Sequence, residues 1–154
     1  MISTAQLFDL SFLLVAPFWL LMILAPAWRV TEKAAASPLT VLPILAVYLL
    51  LAVPVLPELW SAVSRPDLDS FRALTALPEG ASALWAQVLA WDLLLGQWIY
   101  RESRRLALSP FLTGPLLVLT VLLSPFALLL FLPLRAIRSR TLPDSEPTAP
   151  ASLT

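Results

Sequence analysis

One carboxyl stands where a carboxyl is costly. Asp92 lies inside the stretch Trp85–Tyr100, which is otherwise without charge. If that stretch crosses a bilayer, an aspartate near its centre costs roughly 2.5–3.5 kcal/mol on insertion scales. Such a group is kept only when it is paired, protonated or used. In use, it offers acid–base chemistry or a polar anchor for a ligand. As structure, it is a hydrogen-bonding link to a neighbouring helix. Both readings stand on the sequence, because intramembrane carboxyls are enriched at functional sites.

The neighbours of Asp92 extend the candidate site. At 100° per residue Gly96 and Ile99 share its face, with Trp85, Val88 and Leu89 behind. Gly96 would let another helix approach beside the carboxyl. Trp91 lies beside that face, and Trp19, in Pro17-Phe18-Trp19, is deep in another apolar run. Flat aromatic walls of this kind suit a polyene or a quinone, although a deep Trp also packs against lipid. Gln87 and Gln97 sit five residues either side of Asp92. They are expected to hydrogen-bond between helices, or else to contact a ligand, because a deep amide needs a partner. Asp92 is thus the candidate catalytic residue, with Gln87, Trp91, Gly96, Gln97 and Trp19 as candidate substrate contacts. Thr113, Thr120 and Ser124 form a hydroxyl face that could meet Asp92, although such hydroxyls also bond their own helix. Asp9 is expected to cap the first helix. Trp28, Trp60, Trp98 and Tyr100 fall near run ends, where aromatic belts are expected.

Four apolar runs must position these groups. They are Leu10–Trp28, Pro38–Pro57, Gly80–Tyr100 and Leu106–Leu134, and Asp92 is the one charge within them. A spanning helix needs about 20 apolar residues, so the pattern predicts an all-α integral membrane protein of four transmembrane helices in a small bundle. The fourth run, as one straight helix, would exceed the roughly 30 Å hydrocarbon core. It is expected to bend near Pro125, where a proline removes a helical bond. A re-entrant form bent at Pro125 would return the last Arg cluster to the side it came from. Leu68–Leu77 is expected to form a short interfacial helix. The domain boundaries are 1–138 for the transmembrane unit and 139–154 for a disordered Pro/Ser/Thr-rich tail.

Composition supports the same class. Apolar residues make up 59% of the 154 residues and charged ones 13%, which a soluble domain of this size cannot bury. Ten basic and ten acidic side chains balance, so nothing favours nucleic acid. With no Cys and no His, thiolate or imidazole sites and the usual nucleophilic triads are excluded. Neither a metal nor another cofactor is expected, and the expected partner is the lipid bilayer. Nine of the ten basic residues are Arg, a hint of a GC-rich bacterial genome. The start shows no basic leader and no transit-peptide composition. The bacterial inner membrane is therefore the expected location. With four spans the basic residues divide five against five, so the positive-inside rule is tied. The flanks of the first run, with none before it and Arg29 and Lys33 after, tip the balance towards an outside N terminus.

Trp85-Ala-Gln-Val-Leu-Ala-Trp-Asp92-Leu-Leu-Leu-Gly96-Gln-Trp98-Ile-Tyr100, followed by Arg101-Glu-Ser-Arg-Arg105, resembles the abscisic-acid-deficient-4-like membrane proteins. These are the neoxanthin-synthesis proteins of plant plastids and their bacterial relatives. Phe8-Asp9-Leu10, Pro17-Phe-Trp19-Leu-Leu-Met22 and Ala25-Pro26 resemble the same family's first span, and Ser124-Pro125-Phe-Ala-Leu128 with Leu134-Arg135 its last. The resemblance covers Phe8 to Arg135. It implies a small helical membrane protein and a carotenoid-related activity, the opening of an epoxide to an allenic alcohol. That isomerisation needs an acid at the epoxide oxygen and a base at a nearby proton. Asp92 matches the family's membrane aspartate. Gln87 and Gln97 depart from it, since the family pattern carries a His and an Arg at those positions. Two functions follow. One is an isomerase acting on a carotenoid epoxide or related polyene. The other is a non-catalytic protein that binds a carotenoid or lipid, or accompanies a larger membrane complex.

Overall fold

The computed structural model describes residues 2–141, and every regular element among them is helical. Helix α1 (Thr4–Leu24) starts from a reciprocal cap. The Gln6 N–H donates to Ser3 Oγ at 3.2 Å, and the Ser3 N–H donates to Gln6 Oε1 at 2.8 Å. Two end donors are satisfied at once. Asp9 is therefore not the cap. The helix has already begun at Thr4, and Asp9 lies exposed along it.

After the short α2 (Arg29–Ala36), the second apolar run is built in pieces. These are a 3₁₀ turn Pro38–Val41, α3 (Leu42–Ala52), a second turn Val53–Val55 and α4 (Leu56–Ser64). Pro38, Pro43, Pro54 and Pro57 each fall in the first two positions of a piece, where a missing N–H costs no helical bond. The expected interfacial helix is present as α5 (Leu68–Ala76), capped by Asp67. Then come α6 (Pro78–Arg105) and α7 (Pro110–Thr141). The helix continues to Thr141, three residues into the expected tail, and the rest of that tail, 142–154, lies outside the described residues.

Three stretches among the described residues are long and apolar enough to cross a membrane: Thr4–Leu24, Pro38–Ser64 and Pro110–Arg140. Helix α6 is long enough but not apolar enough. The expected count of four is not confirmed. Yet α6 is the centre of the bundle, touching α1, α3 and α7. It runs alongside α1 in the same direction. Thr4 Oγ1 donates to Glu79 Oε1 at 2.7 Å, Phe8 stacks on Trp85 at 5.6 Å, and the Tyr100 hydroxyl donates to the Pro26 carbonyl. The second run comes back the other way, since Thr40, at its start, meets Gln97 near the far end of α6.

The expected bend near Pro125 is present, and it is more than a kink. Leu123 leaves helical geometry altogether, with φ −149° and ψ 68°. Beyond it the chain climbs back along α6. Ser124 meets Asp92, the Phe131 ring stands edge-on to Trp98 at 5.2 Å, Arg135 Nε donates to Glu102 Oε1 at 2.6 Å, and Arg138 Nε donates to the Leu106 carbonyl at 3.4 Å. The offset between partners is nearly constant, so the second limb runs parallel to α6. The first limb leaves α6 through the tight turn Leu106–Ser109, where Ala107 takes a left-handed φ of 50°. The two limbs wall one groove, Leu112, Leu116 and Leu119 facing Leu130 and Leu134. Helix α7 is a hairpin whose two ends lie together at the C-terminal end of α6.

Candidate functional site

The hairpin tip and the middle of α6 form a cleft of about 420 Å³, lined by Trp85, Val88, Trp91, Asp92 and the tip residues Val121–Pro125. Asp92 is its one titratable residue and is half-buried. The Ser124 side chain lies beside it in the lining. Ser124 arrives there because the break at Leu123 turns the chain. Pro125 has no N–H to offer the Val121 carbonyl, so the helix cannot run through this point undisturbed.

The other candidates separate into two groups. Trp91 lines the cleft, 63% exposed. Trp19 is buried and walls the neighbouring groove of about 370 Å³ between α1 and the first limb, which shares Val121 and Leu122 with the cleft. Gly96 and Gln97 are not in the cleft. A Cβ at position 96 would overlap the Trp19 ring, so the close approach expected there is made by a side chain of α1. Gln97 is buried and donates to Thr40 Oγ1, the interhelical bond its depth demanded. Gln87 is half-buried and lies outside the lining of the cleft.

Of the expected hydroxyl face only Ser124 reaches Asp92. Thr113 Oγ1 donates to the Ser109 carbonyl at 3.2 Å and Thr120 Oγ1 to the Leu116 carbonyl at 2.8 Å. Each satisfies its own helix, the alternative open to Ser and Thr in apolar surroundings. The belt expectation divides as well. Trp28 and Trp60 are exposed, whereas Tyr100 is fully buried and Trp98 is packed between Phe131 and the Arg135 guanidinium. Trp85 belongs to the cleft although it was not a candidate contact; its place behind Asp92, two turns back, was the available signal. The tip residues Val121–Leu123 carried no such signal, being apolar side chains in an apolar run.

Large side chains of α7, among them Leu122, Phe126, Leu129 and Leu130, are exposed. Exposed apolar side chains around a centre that holds buried polar groups are the build of a helical membrane protein. The chain matches the ABA4-like (ABA DEFICIENT 4-like) family over residues 6–131 and belongs to it. No curated protein and no solved structure matches the chain.

Proposed function

We propose that this protein is a multi-pass protein of the bacterial inner membrane that binds a carotenoid or related polyene in the Asp92 cleft and isomerises it. The carrying observation is a lone carboxyl, beside Ser124, in an aromatic cleft whose lining is otherwise apolar. In the bilayer, α1, Pro38–Ser64 and α6 cross, and α7 enters and returns. Membrane-depth backbone that leaves helical geometry is tolerated where it is buried in protein or lines a cavity, as at Leu123. This arrangement breaks the charge tie. Arg135, Arg138 and Arg140 join Arg29, Lys33, Arg101, Arg104 and Arg105 at one end, leaving only Arg65 and Arg72 at the other. Positive residues favour the cytoplasmic side, which puts the N terminus outside.

One carboxyl suffices for an epoxide-to-allene isomerisation. Its O–H gives a proton to the epoxide oxygen as the C–O bond breaks. Its other oxygen accepts the proton leaving the adjacent polyene carbon, whose C–H electrons become the new double bond. Asp92 ends as it began, and no oxidant or reductant is consumed. Ser124 orients the carboxyl. The second reading is binding without turnover. It is favoured by the single titratable group in the cleft, since Gln87 and Gln97 supply no acid or base and lie outside it.

The test compares pigments and protein level in a deletion strain carrying the unaltered chain, Asp92→Asn or Asp92→Leu. An isomerase loses its product in Asp92→Asn at unchanged protein level. Identical pigments with and without the gene, with carotenoid co-purifying, would establish the binder. Asp92→Leu should lower the protein level in either case, by leaving Ser124 without its partner.

A further inference from the structure

The hairpin stops half-way along α6, and that leaves something uncovered. Its first limb, from Pro110 to Leu122, rises about 20 Å at 1.5 Å per residue. That matches the distance from Arg105 back to Asp92. Beyond the tip, towards the N-terminal end of α6, Phe8, Asp9, Phe12, Leu13 and Trp85 form a groove of about 330 Å³. It shares Trp85 with the Asp92 cleft and Phe12 with the groove walled by Trp19. Phe12 is 48% exposed and Trp85 38%. The two grooves adjoin along one stripe of α1, Phe8, Phe12, Ala16, Leu20 and Ile23, which rises about 22 Å, and the Asp92 cleft joins them through Trp85, Val121 and Leu122.

We propose that this opening is a lateral portal through which a rod-shaped amphiphile with a neutral oxygen-bearing end enters from the leaflet at the N-terminal end of α6. The proposal rests on the membrane arrangement given above, and it does not require turnover. Each part of the ligand description comes from a wall. The wall between the two ends is apolar and aromatic, which selects a hydrocarbon or polyene body. The inner end is the Asp92–Ser124 pair, which selects a hydroxyl, ether or carbonyl oxygen able to exchange hydrogen bonds with them. An anionic head is disfavoured there by the loss of its hydration. The outer end is marked by Asp9, on the exposed face of α1. A phospholipid chain satisfies the apolar wall but leaves the inner polar pair unanswered.

The chain has no cysteine, so single cysteines report without background. Phe12→Cys sits at the portal. Leu130→Cys sits in the groove between the hairpin limbs, near the opposite end, and serves as the control. Both variants, in lipid nanodiscs, are labelled with a membrane-permeant maleimide in the presence of all-trans-retinol, a polyene alcohol, or all-trans-retinoic acid. Retinol should slow labelling at position 12 several-fold and leave position 130 unchanged, and retinoic acid should protect neither. Ser124→Ala, which keeps the fold's apolar packing, should weaken the protection by retinol about fivefold, the worth of one ordinary hydrogen bond. Equal protection at 12 and 130, or none at either, would show that retinol merely dissolves in the bilayer, and the portal would fall. Equal protection by retinol and retinoic acid would overturn the polar inner stop. Protection confined to position 12 in a protein that alters no pigment would keep the portal and remove the isomerase.

Discussion

Helices α6 and α7 invert the usual relation between hydropathy and burial. Helix α6 carries Asp92, Gln87, Gln97 and two buried serines, Ser82 and Ser103, yet it is the element the others pack around. Helix α7 is apolar enough to cross a membrane, yet much of its surface faces outward. In water that assignment would be backwards. In lipid it is expected, because tails solvate leucine as well as a protein core does, while a polar group finds partners only inside. The small residues confirm it. Ala83, Ala86, Ala90 and Gly96 of α6 are buried against neighbours, whereas a Cβ on Gly114 of α7 would meet nothing.

The comparison breaks most completely on the path of α7. Ser109→Cys precedes the hairpin and Ser139→Cys follows it. With the ion pairs at Glu102 in place, both should react with an impermeant maleimide from the same side of sealed vesicles, and Ser64→Cys only from the other. Opposite sides for 109 and 139 would make α7 an ordinary crossing and would restore the five-to-five charge tie.

Packing density gives the next largest effect. Gly96→Leu forces its side chain into the Trp19 ring, and overfilling of this kind costs about 1–3 kcal/mol. Gly114→Leu, in open space, should be close to neutral. Unfolding measured by steric trapping in bicelles should separate the two variants. Equal losses would mean that α6 is no more tightly packed than α7.

A smaller effect is expected where the two helices meet in charge. Glu102 lies beyond the apolar stretch that ends at Tyr100, and its side chain is 11% exposed. It accepts from both Arg105 and Arg135. The bonds from Arg105, and then from Arg135, outweigh burial and hold its carboxyl below the ordinary value of 4.5. A lowered carboxyl stabilises above its unfolded value and loses that contribution as pH falls through the folded one. The hairpin should therefore be insensitive to pH between 6 and 8 and loosen only below about 4.5, the ordinary glutamate range. Glu102→Gln should abolish that acid sensitivity and cost about 1.5 kcal/mol, as a charge-assisted hydrogen bond does. The distance between spin labels at 109 and 139, followed against pH, would check both.

Much of this was legible in the residues. Runs without charge and the proline at Pro125 are local features, and local rules place them. The helical class, the short helix at Leu68–Ala76 and the break near Pro125 follow from such rules alone. So does the oddity of Asp92, because an aspartate in an apolar run is costly wherever the run lies. Helix α1 starts at Thr4 and not at Asp9 because Ser3 and Gln6 make a capping box, which competes with any later acid.

What the tertiary structure alone decided is which of the polar groups meet. Three hydroxyls stood ready for Asp92, and only Ser124, freed by the break at Leu123, left its own helix to reach it. A run of 29 uncharged residues is long enough either to cross a bilayer or to turn back within it, and its own energetics are nearly indifferent to the choice. The choice lies with contacts made across more than thirty residues of chain, Trp98 with Phe131 and Glu102 with Arg135. Those contacts exist only once α6 is in place to offer them.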